Sequence, residues 1–255
     1  MPLELVTVPC LADNYAYLIH DAETGQTAVV DVPEPGPILA ALNAHQWRLT
    51  DILITHHHDD HIQGVEPLRA QTGAMVLGAA ADAHRLPRLD LALDEACTFS
   101  LGRETARVID VPGHTLGHIA FHFPQSQLCF TADSLMAGGC GRLFEGTARQ
   151  MHTSLQKLAA LPPETLICSG HEYTASNLRF AATLEPDNPQ LISRIAEVAE
   201  RRARGAPTVP VPLQVELDTN PYLRAHLPAL KAAVGLPDAD DVTVFAEIRA
   251  RKDKF

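Results

Sequence analysis

The residues best suited to chemistry lie in one short stretch, residues 55–61, which reads THHHDDH and contains four histidines and two aspartates. Packing several imidazoles and carboxylates together costs desolvation and, where the histidines are protonated, charge repulsion. A bound metal ion removes these costs because it favours neutral imidazole and ionised carboxylate. The stretch therefore predicts a metal centre.

The position of this stretch indicates which of its side chains are ligands. It begins at the end of the apolar run DILIT, so that His56 lies where a predicted buried strand ends. Ligands bind at such strand ends in α/β sheets. In extended backbone alternate side chains share a side, so His56 and His58 face together and His57 points away. After a turn, Asp60 and His61 could then ligate a second ion.

Three other predicted strand ends carry side chains of the same chemistry. His114 and His118 lie in VPGHTLGH, Asp133 follows the run QLCFTA, and His171 follows TLICSG. Each signal is weak by itself. Together they offer candidates from three separate strand ends, as a site assembled across one edge of a sheet requires.

The elements that must position these residues are short strands alternating with helices. Runs rich in β-branched residues predict strands at residues 28–32, 51–56, 74–77, 106–111, 118–123, 127–131 and 165–169. Helical periodicity occurs at residues 37–47, 62–71 and 148–161. Residues 85–99 show no single period and are interpreted as a surface connection. This mixture predicts an α/β region in which helices cover sheets.

The character of the chain changes after Tyr173. The segments NLRFAATLE, QLISRIAEVAERRARG and LPALKAAVG have helical patterns, and PTVPVPLQVELDTNP is a proline-rich connection between them. We therefore predict a catalytic α/β domain at residues 1–172 and a small all-helical domain at residues 173–255.

The composition predicts a soluble, cytoplasmic protein. The 255 residues contain no apolar run of the ~18 residues that a membrane-spanning helix needs, and Glu4 lies where a secretory signal would be basic. The five cysteines form no CxxC pair, which fits a reducing compartment. The formal net charge of −11 opposes binding to nucleic acid.

These motifs resemble those of the metallo-β-lactamase superfamily, whose marker is HxHxDH followed by a later His, an Asp and a last His. The resemblance extends to glyoxalase II, the hydroxyacylglutathione hydrolases, over nearly the whole chain. The words that carry it, in order, are LADNYAYLI, THHHDDH, RLPRLDLALDE, VPGHTLGHIAFHF, FTADSL, AGGCGRLFEGTARQM, SGHEYTASNLRFA, TNPYLR and IRARKDKF. It implies an αββα metallo-β-lactamase-like sandwich followed by a small C-terminal helical domain that binds glutathione.

The resemblance also implies two divalent metal ions per chain, with zinc expected and iron or manganese as alternatives. The implied ligands are His56, His58 and His114 for one ion, Asp60, His61 and His171 for the other, and Asp133 for both. His57 and Asp59 would occupy the variable positions of the motif. Water between two such ions is acidified from a pKa of 15.7 towards ~7. A bridging hydroxide, beside the catalytic residues Asp60 and Asp133, would then be the nucleophile.

Two further polar residues are interpreted as neighbours of ligands. Metal-bound histidines are usually oriented by a second residue, and His118 fits that role or a structural one. Asp31, at the end of an early strand, could orient a ligand in the same way. It could equally be a turn-forming aspartate.

The substrate implied by the resemblance is the thioester S-D-lactoylglutathione, which is cleaved to glutathione and D-lactate in methylglyoxal degradation. Arg142, Arg249 and Lys252 would bind its carboxylates, and Tyr173 its peptide backbone. Phe144 is a departure, since many relatives have tyrosine there. From composition alone, IRARKDKF would be a solvated charged tail. The chain is expected to act as a monomer on this small molecule, without nucleic acid or membrane partners.

The sequence leaves other functions open. Within the superfamily a persulfide dioxygenase or a lactonase is an alternative, although the C-terminal cations argue against a lactonase. From a different class, the chain could be a non-catalytic binding module. All seven ligand positions carry competent residues, which favours an enzyme.

Overall fold

The structure is a computed structural model that describes residues 2–255. Within that range the strands are β1 (Glu4–Cys10), β2 (Asn14–Asp21), β3 (Gln26–Val30), β4 (Asp51–Leu53), β5 (Met75–Ala79), β6 (Leu91–Leu93), β7 (Thr98–Leu101), β8 (Glu104–Asp110), β9 (Ile119–Phe123), β10 (Leu128–Ala132), β11 (Leu135–Met136), β12 (Gly139–Cys140), β13 (Leu166–Ser169) and β14 (Val211–Pro212). The helices are α1 (Pro35–His45), α2 (Asp59–Ile62), α3 (Val65–Thr72), α4 (Ala148–Ala159), α5 (Thr174–Leu184), α6 (Pro189–Ala203), α7 (Leu213–Thr219), α8 (Pro228–Ala233) and α9 (Asp241–Lys254).

The strands form two six-stranded sheets and a small hairpin. The first sheet has the order β1-β2-β3-β4-β5-β6, the second has the order β14-β13-β10-β9-β8-β7, and β11 pairs with β12. Strands β3 to β6 run parallel, as do β10 and β13. Because the carboxyl ends of parallel strands meet at one edge, the segments after β3, β4, β10 and β13 come together.

The two sheets pack face to face between outer layers of helices. Tyr17 and Leu53 of the first sheet share one buried cluster with Phe121 and Phe130 of the second. On the outer side of the first sheet, α1 and α3 cover Leu18 and its neighbours. On the outer side of the second sheet, α4 and α9 pack on the faces of β9, β10 and β13 that point away from the first sheet. The predicted αββα sandwich is confirmed.

All seven predicted strands are present within a few residues of their predicted bounds, but several elements were not predicted. The segment at residues 85–99 contains β6 and part of β7, so its interpretation as a surface connection is wrong. Every residue of β2 is buried, so it lacks the alternation that marks a half-exposed strand. Helix α7 lies within the segment interpreted as a proline-rich connection.

The C-terminal helices pack closely on the rest of the chain. Phe245 and Ile248 of α9 lie in the same buried cluster as Met151 and Leu155 of α4. This cluster spans the predicted boundary between residues 172 and 173, and that boundary stays a prediction. None of the described helices is both long enough and apolar enough to cross a lipid bilayer.

Candidate metal centre and substrate cavity

Three overlapping groups of side chains that could hold a metal ion gather at the sheet edge where the parallel strands end, and in each the possible ligand atoms lie within 4.8 Å of one another. One group, Asp31, His56 and His61, shares a histidine with each of the others. The other two are His56, His58 and His114, and Asp60, His61 and His171. We call them the three-histidine group and the mixed group. Nδ1 of His58 lies 3.2 Å from Nε2 of His56 and 3.0 Å from Nε2 of His114. These are the two sets that the resemblance implies as ligands.

Asp133 lies between the two groups. Its Oδ2 is 3.4 Å from Nε2 of His114 and 3.4 Å from Nε2 of His171, while its Oδ1 is 3.5 Å from Nε2 of His61. The same Oδ1 is buried and has no hydrogen-bond partner among the described residues. A buried carboxylate oxygen without a donor is costly unless a cation contacts it. The position suits the predicted bridge, whose role stays a prediction.

The hydrogen bonds of the mixed group fix which histidine nitrogens face inward without a hydrogen. Nδ1 of His61 lies 2.8 Å from a carboxylate oxygen of Asp31, and Nδ1 of His171 lies 3.0 Å from one of Asp13. Because an ionised carboxylate only accepts, both Nδ1 atoms must be donors. In the neutral rings the two Nε2 lone pairs therefore point at each other, 3.3 Å apart. Lone pairs facing each other suit a cation between them.

The three-histidine group shows the same arrangement. Nδ1 of His114 lies 2.8 Å from the Arg142 carbonyl oxygen, which can only accept. Nδ1 of His56 lies 3.0 Å from the Thr55 hydroxyl, which donates its own hydrogen to Asp31. Both rings thus direct Nε2 lone pairs inward. Neutral imidazoles and carboxylates are ligands that zinc and other transition metals accept, so both groups fit a divalent ion.

Burial and neighbouring carboxylates act oppositely on the two groups. Burial lowers the pKa of His56, His58 and His114, so these rings stay neutral. Burial also opposes the protonated form of His171, but the carboxylates of Asp133, Asp13 and Asp60 together outweigh it and raise the pKa of His171 to about 9. The charges of His171 and His61 lower the pKa of Asp133 despite its burial. A metal ion in the mixed group would therefore displace protons at neutral pH.

Local backbone structure delivers the motif to this edge. After β4 the chain stays extended through His58 and then turns into α2, so the predicted turn through Asp59 is the first turn of a short helix. Gly170, which precedes His171, lies very close to the side chains of Asp133 and His61. A Cβ there would lie 2.5 Å from Oδ1 of Asp133 and 2.8 Å from Cε1 of His61, so a side chain at this position would displace both.

The residues predicted to be non-ligands lie outside the two groups. His57 points away from the centre, with its Nδ1 3.1 Å from a carboxylate oxygen of Asp82. The ring of His118 stacks on that of His56 at 4.6 Å, and its buried Nε2 has no partner among the described residues. His118 therefore contacts a ligand candidate through its ring. Asp31 contacts His61, which favours its interpretation as an orienting residue over that of a simple turn.

A cavity of about 670 Å³ connects these groups to the predicted substrate-binding residues. The candidate metal ligands that line it are His58, Asp60, His114, Asp133 and His171. The predicted substrate-binding residues that line it are Arg142, Phe144, Tyr173, Arg249 and Lys252. Sequence reasoning missed Asn177, which also lines it and donates to the Ala137 carbonyl oxygen.

Two aromatic rings line the cavity beside the candidate ligands. The Phe144 ring meets those of His58 and His114 edge to face at 5.4 and 5.3 Å and is 59% exposed. The Tyr173 ring stacks on His171 at 4.7 Å with an interplanar angle of 7°. Phe144 therefore contacts the three-histidine group, and Tyr173 contacts the mixed group.

The C-terminal cations belong to a helix and are not a solvated tail, so the interpretation from composition alone is wrong. Arg249 is only 7% exposed, donates to the Cys140 carbonyl oxygen at 3.0 Å and to Asp253 at 2.9 Å, and lies over the Tyr222 ring. Its buried Nε has no partner among the described residues. Burial and the charge of Arg249 lower the pKa of Lys252. The cavity is thus lined by the cations Arg249 and Lys252, which form its cationic end, as well as by the metal-ligand candidates.

The fold and these two groups define a class of protein. The family model described as Metallo-beta-lactamase superfamily matches residues 13–171. The solved structure of BLEG-1 B3 metallo-beta-lactamase shares the fold, with a TM-score of 0.67 and 19% identity over 86% of this chain and 99% of that one. TTHA1623, whose crystal structure is in a di-iron-bound form, gives a TM-score of 0.56 and 29% identity over 66% of this chain and 91% of that one. The chain is a metallo-β-lactamase-fold protein with a C-terminal helical extension.

The helical extension narrows the class to one family. Residues 172–255 match the family model described as Hydroxyacylglutathione hydrolase C-terminus. The chain is 68% identical to the hydroxyacylglutathione hydrolase of Cereibacter sphaeroides and 59% identical to that of Ruegeria pomeroyi, in each case over 100% of both chains. It belongs to the hydroxyacylglutathione hydrolase family, and the resemblance inferred from its motifs is confirmed.

Proposed function

We propose that this protein hydrolyses S-(2-hydroxyacyl)glutathione, and S-D-lactoylglutathione in particular, to glutathione and a 2-hydroxy acid such as D-lactate. This reaction is the second step of methylglyoxal degradation. The observation that carries the proposal is the single cavity that joins both metal-ligand groups to the cations of α9. Glutathione thioesters combine an electrophilic carbonyl with remote carboxylates, and the cavity offers chemistry for both ends.

The three-histidine group, the mixed group and Asp133 are proposed to hold two divalent metal ions. Zinc is our first choice, and a His and Asp donor set also suits iron or manganese. When bound, such a pair of ions supplies Lewis acidity and a water nucleophile at neutral pH. Asp60 and Asp133 are the proposed catalytic residues because their carboxylates lie 3.4 Å from candidate ligand nitrogens, Asp60 beside His171 and Asp133 beside His114.

The remaining lining residues are proposed to bind the glutathione part. Arg142, Arg249 and Lys252 would pair with its carboxylates, and Tyr173 would contact its backbone. A thiolate is a good leaving group because an ordinary thiol has a pKa near ~8.5. The reaction therefore needs no strong general acid, and the chain need only hold the thioester between Phe144 and Tyr173.

The alternatives have less support. A lactonase has no need for a cationic cavity end, and a non-catalytic module has no need for seven competent ligand positions. No observation on the described residues favours a persulfide dioxygenase over a hydrolase.

Metal analysis combined with thiol release tests the proposal. We expect about two metal ions per chain in protein reconstituted with zinc, iron or manganese, and release of glutathione from S-D-lactoylglutathione. A lactoyl thioester of a neutral thiol serves as the control substrate and should be cleaved with a much higher KM. Fewer than about one ion per chain, or no thiol release after reconstitution, would contradict the proposal.

A matched pair of variants tests the cationic end. Lys252 lines the cavity, whereas Lys254, two residues along α9, does not. Lys252→Ala should raise KM for the glutathione thioester about 10- to 150-fold, since hydrogen bonds to charged groups are worth about 1.5–3 kcal/mol. Lys254→Ala should leave KM unchanged. Equal effects of the two substitutions would show that the assigned anion site is wrong.

The setting of the reaction is also a proposal. We propose catalysis by residues 1–172 and glutathione binding by residues 173–255, in a monomer in the cytoplasm. The five free cysteines favour a reducing compartment. Size-exclusion chromatography with light scattering would reveal a dimer if the monomer proposal is wrong.

A further inference from the structure

The loop between β1 and β2 contacts the mixed group directly, and nothing above assigns it a function. This loop ends at Asp13, and we include in it Asn14 and Tyr15, the first two residues of β2. Asn14 forms an isolated bridge with His171 across the gap between the two sheets. The loop belongs to the first sheet, whereas His171 follows β13 of the second sheet.

Asn14 holds the carboxylate of Asp60. Its Nδ2 donates to Oδ2 of Asp60 at 3.0 Å and to the Asp60 carbonyl oxygen at 3.1 Å. Asn14 is only 4% exposed, whereas the Asp60 side chain is 41% exposed. A carboxylate so open to water keeps several rotamers unless a rigid donor selects one. Asn14 is such a donor, because it is buried and grips both the backbone and the side chain of Asp60.

Asp13 holds His171 from the other side. Its Oδ1 lies 3.0 Å from Nδ1 of His171. Two backbone hydrogen bonds flank this contact: Tyr15 N donates to Gly170 O at 2.8 Å, and Glu172 N donates to Asp13 O at 2.8 Å. The loop and the His171 segment are therefore clamped together on both sides of the ring.

Within residues 2–255, no carboxylate from a separate loop contacts the outer nitrogens of His56 and His114 in the three-histidine group. The outer nitrogens of His56 and His114 contact a hydroxyl group and a backbone carbonyl, respectively. In the mixed group, by contrast, both histidines contact carboxylates, through Asp31 and Asp13. A carboxylate partner makes an imidazole a stronger donor to a metal, and losing such a partner typically costs 10- to 100-fold in metal affinity.

We propose that Asp13 and Asn14 are positioning residues for the mixed group, which set the geometry and donor strength of His171 and Asp60 and so the affinity of one of the two metal ions. This inference rests on the proposed function, because it presumes the metal centre. It adds the claim that the two ions depend on different parts of the chain. The competing account is that the loop merely stabilises the fold.

Metal affinity measured at each site separates these accounts. Asp13→Asn keeps the shape of the side chain and removes its charge, while Asn14→Ala removes the donor to Asp60. Tyr15→Phe is the matched control, because the Tyr15 hydroxyl donates to Glu172 at 2.7 Å in the same loop and touches no candidate ligand. Each purified variant is titrated with zinc against a chromophoric chelator. The thermal unfolding temperature of the metal-free protein is measured in parallel.

We expect Asp13→Asn and Asn14→Ala each to lower the affinity for one of the two zinc ions by about 10- to 100-fold. The affinity for the other ion should stay within about 2-fold of wild type. At limiting zinc the stoichiometry should fall from two towards one. KM for the glutathione thioester should stay unchanged while kcat falls, and added zinc should restore kcat. The unfolding temperature of the metal-free variants should match that of Tyr15→Phe.

Two results would overturn the inference. One is wild-type affinity for both ions in both variants while wild-type protein binds two ions and cleaves the thioester, which leaves the proposed function standing. The other is an equal loss of both ions together with a lower unfolding temperature in all three variants, which would indicate a merely structural loop. If wild-type protein binds no metal, the proposed function fails and the inference fails with it.

Discussion

Phe144 lines the cavity at the position where the resemblance to the family implies a tyrosine, so the side chain here lacks one hydroxyl group. The ring packs against His58 and His114 and lies 5.9 Å from the guanidinium carbon of Arg142. It is more than half exposed to the cavity, so a para hydroxyl group would face solvent or substrate. A hydroxyl group on this ring would therefore reach the cavity without disturbing the packing of the ring.

Phe144→Tyr should lower KM for the glutathione thioester by about 2- to 10-fold, because one neutral hydrogen bond is worth about 0.5–1.5 kcal/mol. The value of kcat should stay within about 2-fold of wild type, since the ring does not touch the thioester through its new atom. Steady-state kinetics on S-D-lactoylglutathione provide the measurement. Phe144→Leu, which removes the aromatic face, is the control and should raise KM.

The β11–β12 hairpin links Asp133 to the cationic end of the cavity, and buried polar groups of α7 hold it. Glu216 is fully buried and accepts from Gly138 N at 2.8 Å and from Asn220 Nδ2 at 2.9 Å. It also pairs with the buried guanidinium of Arg194. Asn220 in turn donates to the Gly139 carbonyl oxygen at 2.9 Å. The position of this hairpin thus depends on polar contacts with the helical segment.

Glu216→Ala should lower the free energy of unfolding by about 3–5 kcal/mol, because it leaves the Arg194 charge buried without a partner. Urea unfolding followed by circular dichroism measures the change. Glu247→Ala is the control, since Glu247 forms an exposed pair with Arg251 one turn along α9 and such pairs contribute about 0–1 kcal/mol. Similar losses in the two variants would show that the buried network is not special.

A second junction ties three loops on the side of the three-histidine group. Glu145 accepts from Leu116 N at 2.8 Å and pairs with Arg85, whose guanidinium also contacts Asp82. Asp82 in turn contacts His57. The hydrogen bond from Arg85 lowers the pKa of Glu145 to about 2. Ion pairs and hydrogen bonds of Glu145, Arg85 and Asp82 therefore connect the loops that carry His58, His114 and Phe144.

This lowered pKa predicts a pH dependence of stability. Because the pKa of Glu145 in the folded state lies below its ordinary value of 4.5, the junction is fully stabilising above about pH 4.5 and loses its effect as the pH falls towards 2. Glu145→Gln should destabilise the metal-free protein at pH 7, and the difference from wild type should shrink below pH 4.5. A difference that stays constant between pH 7 and pH 3 would contradict the assignment. Urea unfolding at a series of pH values provides the test.

The two predicted domains share one outer layer, and this affects how the protein can be divided. Val244, Phe245 and Ile248 of α9 are fully buried in the cluster that also contains Met151 and Leu155 of α4. Burying three such side chains contributes on the order of 5–9 kcal/mol. That is comparable to the whole stability of a typical domain, about 5–15 kcal/mol.

A chain that ends at residue 172 should therefore fail to form a stable α/β domain. We expect it to bind a hydrophobic dye, to lose near-ultraviolet circular dichroism and to aggregate at room temperature. A chain that ends at residue 250 keeps the apolar face of α9 but lacks Lys252, so it should fold and show only a raised KM. A soluble, cooperatively unfolding protein of residues 1–172 would show that the shared cluster is dispensable.

Local sequence patterns predicted most of the frame that carries the site. The run DILIT predicted β4, and the extended segment after it places His56 and His58 together as the period of a strand requires. The same reasoning failed where the sequence shows neither the alternation of a half-exposed strand nor a clear helical period. Strand β2 is buried along its whole length, and α9 has only a few buried side chains among many charged ones.

The residues that hydrogen-bond to the candidate metal ligands were predicted only in part. Asp31 was assigned two possible roles, and its 2.8 Å contact with His61 favours the orienting one. Asp13 and Asn14 were missed, although the words LADNY were part of the resemblance. Nothing local marks them, because their partners Asp60 and His171 lie 46 and 158 residues away along the chain.

Residue types and motifs were therefore enough to predict a metal centre and to identify the family. Residue type and short spacing, as in THHHDDH, carry that information because a metal ligand must be a particular donor at a particular backbone interval. Only the tertiary structure decided which distant groups meet these donors: Asp133 between the two groups, Arg249 buried at the cavity end, and the loop of Asp13 and Asn14 against the mixed group. These contacts arise when sheet edges and helices pack together, and packing joins residues that no local pattern connects.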